Sequence, residues 1–541
     1  MMKRIAQWPT VALALVLIVI ACGKEDGPST NPEPGNGTPN IAAQTLNASE
    51  DIAPGVIDNV SASDPDGDPI TFSIKTNSDN LFKISEEGEL SLAADKKLDY
   101  ESASSHELIV EVSDGTNSAS ETITVLVGNV PDEPFITTWK VGDGETLEIP
   151  TGGDYTYSCT INWGDGTEET ITSNTPSHTY GTAGTYTVTI GIGFPSIEMK
   201  DSYFDSNLVS IEQWGEIEWK KLENAFNYCV NMIGNATDAP DLSLVTSLEG
   251  MFASATSFTG NLNNWDVGNV VNMASMFDYA TSFNSNLNNW NVTNVTNMAD
   301  MFNGAESFNG DIGNWDVRNV ENMRAMFLGT KLFNQDLSAW KVDKVANMAF
   351  MFSLTTAFNG NINTWDVSNV ETMESMFRYA KVFNQDLSKW KTGKVTNLHS
   401  MFFNASNFDS DLSNWKVDLV TDMSVMFSGA TSFNSDISNW KVGKVTDMWG
   451  MFRDAESFDQ DLGGWDISKV ENMAQMLDRS GLSSSNYSKT LIGWANQLNV
   501  PNGITLGAEG LEYCTEVSTY RDVLDIDNEW TINDDTQVNC S

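Results

Sequence analysis

Three histidines in 541 residues (His106, His178 and His399) leave little from which to build a general base or an imidazole metal site. The five cysteines, Cys22, Cys159, Cys229, Cys514 and Cys540, include no CxxC pair, which argues against zinc ribbons and dithiol redox motifs. Basic residues are scarce: 29 Lys and Arg stand against 74 Asp and Glu, a net charge of −45. Such a surface repels phosphate backbones, so nucleic acid is not an expected partner. HExxH, GxSxG and phosphate-loop motifs are all missing, and the chain is not expected to be an enzyme. Apolar runs are short, and the one from Val11 to Ala21 cannot span a bilayer as a stable helix.

What the chain has in abundance is repetition. From Val245 to Leu477 a 25-residue pattern recurs in register. Met-Phe pairs start at Met251, Met276, Met301 and onward to Met451, and Trp265, Trp290, Trp315 and onward to Trp465 keep the same spacing. Of the 22 methionines, 18 fall on two positions of the unit. A fixed period of this length predicts a solenoid of about ten stacked coils. Val270, Met273, Met276, Phe277 and Ala280 fit one face of a short helix. Trp290 and Val292 alternate as in a strand, so parallel strands of successive coils are expected to stack about 4.8 Å apart. The Trp and Met stripes share the inward parity and read as core. The Phe-Asn-x-Asp tract (Phe308-Asn309-Gly310-Asp311) reads as a ladder in which stacked Asn side chains bond the backbone of the next coil.

The outward positions of that expected strand carry lysine in an otherwise acidic chain. Lys341, Lys391, Lys416 and Lys441 follow the tryptophan, and Lys344, Lys394, Lys444 and Lys469 lie three residues further on. They are the candidate ligand-binding residues of a sheet face, suited to an acidic polymer or an acidic protein patch.

The unit MFxxAxxFNxDLxxWxVxxVxxM resembles the bacterial surface protein repeat of BspA-like leucine-rich-repeat lipoproteins. That resemblance implies an α/β leucine-rich-repeat-like solenoid over 245–480, with an N-terminal cap at 201–244 and a C-terminal cap at 481–541. It also implies display on a cell surface, in adhesion or recognition. Cys514 and Cys540, 26 residues apart, are a candidate disulfide for the last turn, contributing ~3 kcal/mol in an oxidising exterior. The pairing of Cys159 with Cys229 stays open.

The N-terminal end reads as an anchor. Lys3 and Arg4 precede the short apolar run, and Val19-Ile20-Ala21-Cys22 resembles a lipobox. The resemblance makes 1–22 a lipoprotein signal peptide and Cys22 the lipidated residue, with two or more acyl chains giving stable anchoring. Gly23-Lys24-Glu25-Asp26 resembles the charged tag that sends some lipoproteins to the outer face of a bacterial outer membrane. Residues 23–39 are a flexible linker by composition.

Between anchor and repeat, alternating apolar residues predict two all-β, Ig-like sandwiches. Residues 40–134 carry Asp64-Pro65-Asp66-Gly67-Asp68, Leu98-Asp99-Tyr100-Glu101 and Val112-Ser113-Asp114-Gly115, and resemble a cadherin-type repeat. By that resemblance Glu50, Asp64, Asp66, Asp99, Glu101 and Asp132 are candidate calcium ligands, although Gly128-Asn129-Val130-Pro131-Asp132-Glu133-Pro134 lacks most of the family's linker ligands. Residues 135–200 carry Trp163-Gly164-Asp165-Gly166-Thr167 and His178-Thr179-Tyr180, and resemble a polycystic-kidney-disease-type module. His178 reads there as a packed residue. The whole is expected to be a lipid-anchored, surface-exposed protein with an extracellular protein or polysaccharide ligand. The alternative reading is a polysaccharide-capture lipoprotein serving a nutrient importer.

Overall fold

The computed structural model describes residues 35–540 apart from 53–54, 78–79, 95, 101–102, 129–132, 154 and 200–204. Cys22, the signal segment 1–22, Glu101 and Asp132 therefore lie outside the described residues. The chain divides into two compact units, Met1–Val130 and Pro131–Ser541.

Period-two alternation builds the first unit. Short strands β1 (Asn40–Ile41) and β4 (Ala62–Ser63) pair at its edge. One sheet holds β2 (Gln44–Ser49), β9 (Ser118–Gly128), β8 (Ser105–Ser113) and β5 (Thr71–Asn77) in that order. The other holds β3 (Val56–Asn59), β7 (Glu89–Leu92) and β6 (Phe82–Ile84). Along β8, Leu108, Val110 and Val112 are buried while Glu107 and Ile109 face solvent. With Leu46, Phe72, Leu90, Ile123 and Val125 they fill the space between the sheets. Each such side chain contributes about 1.5–3 kcal/mol by leaving water.

The second unit begins with β10 (Phe135–Val141), β11 (Thr146–Glu148), β12 (Cys159–Asn162), β13 (Glu168–Ile171), β14 (Ser177–Thr179) and β15 (Gly184–Ile190). β11 pairs with β14 alone, while β10, β12, β13 and β15 are joined by β16 (Leu208–Gln213) and β17 (Ile233–Gly234) in one six-stranded sheet in the order β13-β12-β15-β10-β16-β17. β10 therefore pairs with β15 on one side and with β16 on the other. The β-module and the first coil share a core as well, in which Phe135, Trp214, Trp219 and Phe226 pack ring against ring. The open end of the stack is thus covered by the β-module itself. Cys159 and Cys229 are separate buried thiols and do not form a disulfide with each other.

From 245 to 480 the chain forms stacked 25-residue coils joined by parallel bridges, one residue per coil: Ser247 to Asn272, to Asn297, to Asn322, and on to Asn472. Among the described residues these coils contain no helix and no strand longer than a single bridge. The expected short helix is instead a run of tight turns. Ser275 and Tyr279 have φ of 54° each, a left-handed conformation that breaks helical winding. Alternate N–H groups then point along the stack. Met273 donates to the Asn297 carbonyl at 3.0 Å, Ser275 to Ala299 at 2.8 Å, and Phe277 to Met301 at 2.8 Å. The expected Trp-x-Val strand is also corrected: Trp290 and Val292 lie between turns closed by Trp290 N–H to Leu287 O and by Val295 N–H to Val292 O, both 3.0 Å.

Three aromatic ladders form the interior. Phe277, Phe302 and Phe327 stack at 5.5 and 5.7 Å, Phe283, Phe308 and Phe333 at 5.8 and 6.0 Å, and Trp290, Trp315 and Trp340 at 6.1 and 6.3 Å. From Trp290 to Trp465 each ladder tryptophan donates its indole N–H to a carbonyl of the preceding coil, as Trp315 does to Leu287 O at 2.9 Å. The asparagine ladder is present. Asn309 N–H donates to Asn284 Oδ1, Asn334 N–H to Asn309 Oδ1 and Asn359 N–H to Asn334 Oδ1, each at 2.8–2.9 Å.

Past the last coil, α1 (Ser484–Ala495) is capped by the Ser483 hydroxyl and continues the tryptophan rule, with Trp494 donating to Leu462 O at 3.0 Å. Parallel pairs follow: β18 (Thr505–Gly507) with β20 (Thr531–Asn533), and β19 (Glu512–Cys514) with β21 (Thr536–Val538). Between them runs α2 (Ser518–Asp522). A disulfide joins Cys514 to Cys540. Among the described residues no helix is long and apolar enough to cross a membrane.

Candidate functional site

The carboxylates singled out in the first unit fall at two ends of the sandwich. Asp64 and Asp66 sit in the turn leading to β5, beside the turn after β8. Asp64 Oδ1 accepts the N–H groups of Asp66 (2.8 Å) and Asp68 (3.2 Å). Asp66 Oδ2 accepts Gly37 N–H at 2.5 Å, and Asn117 Nδ2 donates to Asn36 O at 2.9 Å, so residues 36–37 tie the two turns together. Asp114 Oδ1 accepts Thr116 and Asn117 N–H, both at 2.6 Å, and these bonds hold its carboxyl below the ordinary range. Glu50 lies at the opposite end: its N–H donates to Gly128 O and its Oε2 accepts Tyr100 N–H at 2.8 Å, placing it with Asp99. The eleven residues of β9 separate the ends by roughly 33 Å. One ion cannot use both groups.

Asp64 Oδ2 and Asp114 Oδ2 are both buried with no hydrogen-bond partner among the described residues. An anionic oxygen left without a donor is costly, and a hard cation satisfies it. These two residues fit calcium in that respect. Among the described residues, however, no three acidic, histidine or cysteine side chains come together as a metal cluster. Asp114 belongs to this end and was missed as a ligand from sequence, although its Val-Ser-Asp-Gly motif was visible.

In the β-module, His178 Nε2 lies 2.8 Å from Asp165 Oδ2, and its ring stacks on Trp163 at 5.3 Å. The hydrogen bond from His178 holds Asp165 below the usual carboxylate range. Asp165 also accepts Thr167 N–H, so the Gly-Asp-Gly turn is fixed from both sides.

The lysines Lys341, Lys344, Lys391, Lys394, Lys416, Lys441, Lys444 and Lys469 are all exposed, but on a line of turns, because the coils carry no sheet there. Several are used within the stack. Lys344 donates to Asn319 Oδ1 at 2.7 Å, Lys394 to Asn369 Oδ1 at 2.6 Å, and Lys391 lies 3.8 Å from Asp366. The ridge alternates in sign from Asp316 through Lys341 and Asp366 to Lys391, after which Lys391, Lys416 and Lys441 place like charges on three adjacent coils.

These features define a class: a cadherin-like β-sandwich in a chain whose other unit is a β-module continuous with a stack of repeats. The family described as "Mycoplasma protein of unknown function, DUF285" matches at residues 220–329, 310–405 and 385–490, together spanning 220–490, half of the chain. The chain belongs to that family. The cadherin domain family matches residues 44–128. A curated relative, cadherin-related family member 1 of Xenopus laevis, is 38% identical over 103 residues, which are 18% of this chain and only 12% of the relative's length. Similar solved structures include human protocadherin-24 EC1-2 (20% identity, 26% of this chain, 61% of that one, TM-score 0.18). The third cadherin domain of human protocadherin 7 is another (20% identity, 19% of this chain, 100% of that one, TM-score 0.16). At such TM-scores they add nothing to the family match.

Proposed function

We propose that the chain is a surface lipoprotein of a bacterial outer membrane, anchored through Cys22, that acts in adhesion or macromolecular recognition. In this reading the coil stack is a leucine-rich-repeat-like solenoid that serves as the binding head, and the cadherin-like sandwich and a polycystic-kidney-disease-type module are its spacers. The observation that carries it is the cadherin-like unit in a chain whose 25-residue coils show solvent a new set of side chains at each step. An extended stack of this kind suits a large partner better than a small one. Calcium would be held at the Asp64–Asp66–Asp114 end, with the remainder of its shell from backbone oxygens, water or a neighbouring molecule. Ca²⁺ supplies rigidity there rather than chemistry.

The test uses the full mature chain, because a fragment starting at 201 would strip β10 from β16. Its binding to a mixed panel of glycans and extracellular proteins is measured at two salt concentrations. Binding to one class, with loss of cell attachment on deletion, supports adhesion. A blank panel, or a growth defect on a single glycan with attachment intact, sinks it. Reversal of Lys391, Lys416 and Lys441 to Glu weakens attachment at least tenfold if the lysine ridge is the contact surface.

A further inference from the structure

Ten coils are ten versions of one unit, so the chain supplies its own comparison. Counted from each coil's valine, the inward positions hardly change: valine, methionine, phenylalanine and tryptophan recur at their places. The fourth, fifth, eighth and ninth residues do change, and they lie together on the ridge of left-handed turns. Within 245–480 five aromatic residues fall outside the recurring Phe and Trp positions: Tyr279, Phe350, Tyr379, Phe403 and Trp449. All five are on this ridge. So are four of the five arginines of this segment (Arg324, Arg378, Arg453 and Arg479) and its one histidine, His399, but not one lysine.

The side chains are organised against one another. Arg378 lies over the Tyr379 ring at 4.7 Å and the Phe403 ring at 5.4 Å, while Arg324 covers Phe350 at 5.6 Å and Arg453 covers Trp449 at 5.7 Å. His399 is fixed by Ser424 Oγ at 2.7 Å and Ser400 Oγ at 3.0 Å. Phe350, Arg378, His399, Phe403, Trp449 and Arg453 line one shallow cleft, whose one carboxylate, Glu374, accepts from Asn397 Nδ2 at 3.4 Å and is outnumbered by the two arginines. Arg324 is paired with Asp300, and Arg453 donates to Gln475. Arg378, at the centre, has no ion-pair partner among the described residues.

Two features of this ridge identify the occupant. The first is irregularity: a polymer of identical units laid along identical coils would be met by the same residue at every step, as in the ladders of the interior. Here the coils differ from one another without a period, which fits the aperiodic surface of a folded protein. The second is composition. Aromatic residues and Arg are enriched, and Lys depleted, at the cores of protein interfaces, where Trp, Tyr and Arg dominate the binding energy. From Phe350 to Trp449 the cleft crosses four coil steps, roughly 19 Å, the scale of a hot-spot cluster. We propose that this ridge docks a folded protein that inserts a carboxylate, ringed by apolar side chains, between Phe350, Phe403 and Trp449 and against Arg378. This rests on the recognition reading above and names its face and partner class.

The full chain, displayed on cells, is given a photo-reactive residue in place of Phe350, Phe403 or Trp449, with Lys391 and Asn363 as control sites. The protein cross-linked at the cleft is then purified without the cross-link and titrated against the unlabelled full chain. Expected is one adduct confined to the cleft sites, whose Kd rises at least tenfold for Arg378→Ala and for Phe403→Ala and changes less than twofold for Lys416→Ala. Adducts at control sites as strong as at the cleft overturn the proposal, as does an adduct of doubled mass, which would be a second copy of this chain. Binding lost only in the Lys416→Ala variant overturns the cleft but leaves recognition standing, whereas no adduct anywhere, with a blank panel, overturns both. Hydrogen-exchange profiles of each variant guard against loss through misfolding.

Discussion

Trp265 and Trp365 occupy the same place in their coils and are each 3% exposed, yet replacing them with phenylalanine should have opposite consequences. Trp365 donates its indole N–H to Leu337 O at 3.0 Å. That carbonyl also accepts Trp340 N–H, so Trp365→Phe removes one hydrogen bond without orphaning the acceptor, a loss of about 1 kcal/mol. Trp265 lies in the first coil, edge-on to Trp214 at 5.2 Å, and its indole N–H is buried with no acceptor among the described residues. Trp265→Phe therefore removes an unsatisfied donor and returns about 1–3 kcal/mol. Both changes shrink an indole to a phenyl, and this void term largely cancels in the comparison. The two variants should differ by about 2–4 kcal/mol, with Trp365→Phe the less stable. A stack of coils does not unfold in two states, so the assay is hydrogen exchange on the full chain, resolved peptide by peptide around each coil. Faster exchange of equal size in both variants would refute the reasoning, since the hydrogen bond would then be worth nothing beyond the packing of the ring.

Two further predictions rest on single sites. Burial, with the Asp300 carboxylate nearby, pushes the Asp278 carboxyl up to about 6, so between pH 4 and 6 the folded chain keeps a proton that the unfolded chain has lost. Stability is therefore lost as pH rises through that window, and Asp278→Asn should stabilise by on the order of 1–2 kcal/mol at pH 7.5 and by nothing near pH 3.5, read from local hydrogen exchange corrected for the intrinsic rate at each pH. A Cβ added at Gly310 would run into the Ser285 carbonyl oxygen, whereas at Gly329 (φ +69°) it meets only atoms at 3.9 Å. Gly310→Ala should cost about 2–3 kcal/mol and Gly329→Ala about 1 kcal/mol, measured by local exchange.

The period, the inward stripes and the asparagine ladder were legible because each is written ten times in register. Their local conformation was not. Val270, Met273, Met276, Phe277 and Ala280 have helical spacing, and nothing in the sequence marks Ser275 and Tyr279 as left-handed. Elsewhere those positions hold Asp300, Ala325, Phe350 and Gly304, so no glycine signature recurs. The helix was lost to hydrogen bonds that run between coils, 24 residues apart, which no local window registers. The same long reach hid the pairing of β10 with β16 across some seventy residues. At the candidate sites, the carboxylate motifs of the first unit were readable one by one, but their division between two ends depends on the length and direction of β9. The lysine ridge was readable too, whereas the aromatic and arginine ridge was masked by the helix expected there, which would have scattered those positions around a cylinder.

The left-handed positions also bear on the docking ridge. Gly250, Gly304, Gly329, Gly429 and Gly450 occupy them in some coils with no steric penalty, whereas Phe350 (φ 61°) and Leu354 (φ 59°) occupy them at about 1–2 kcal/mol each. Leu354 is 41% exposed, so its burial repays little of that cost. Such a side chain strains its own coil while leaving two-fifths of its surface open to a partner. Leu354→Gly removes the strain but gives the unfolded chain more freedom, worth up to about 1 kcal/mol, so stability should rise or stay within about 1 kcal/mol of the parent. Binding of the protein captured at the cleft should weaken at the same time. The pair of measurements is decisive because the two explanations predict opposite partitions. If Leu354→Gly loosens exchange across its coil by more than about 2 kcal/mol and leaves binding intact, Leu354 serves packing, and the ridge loses its claim to be kept for a partner.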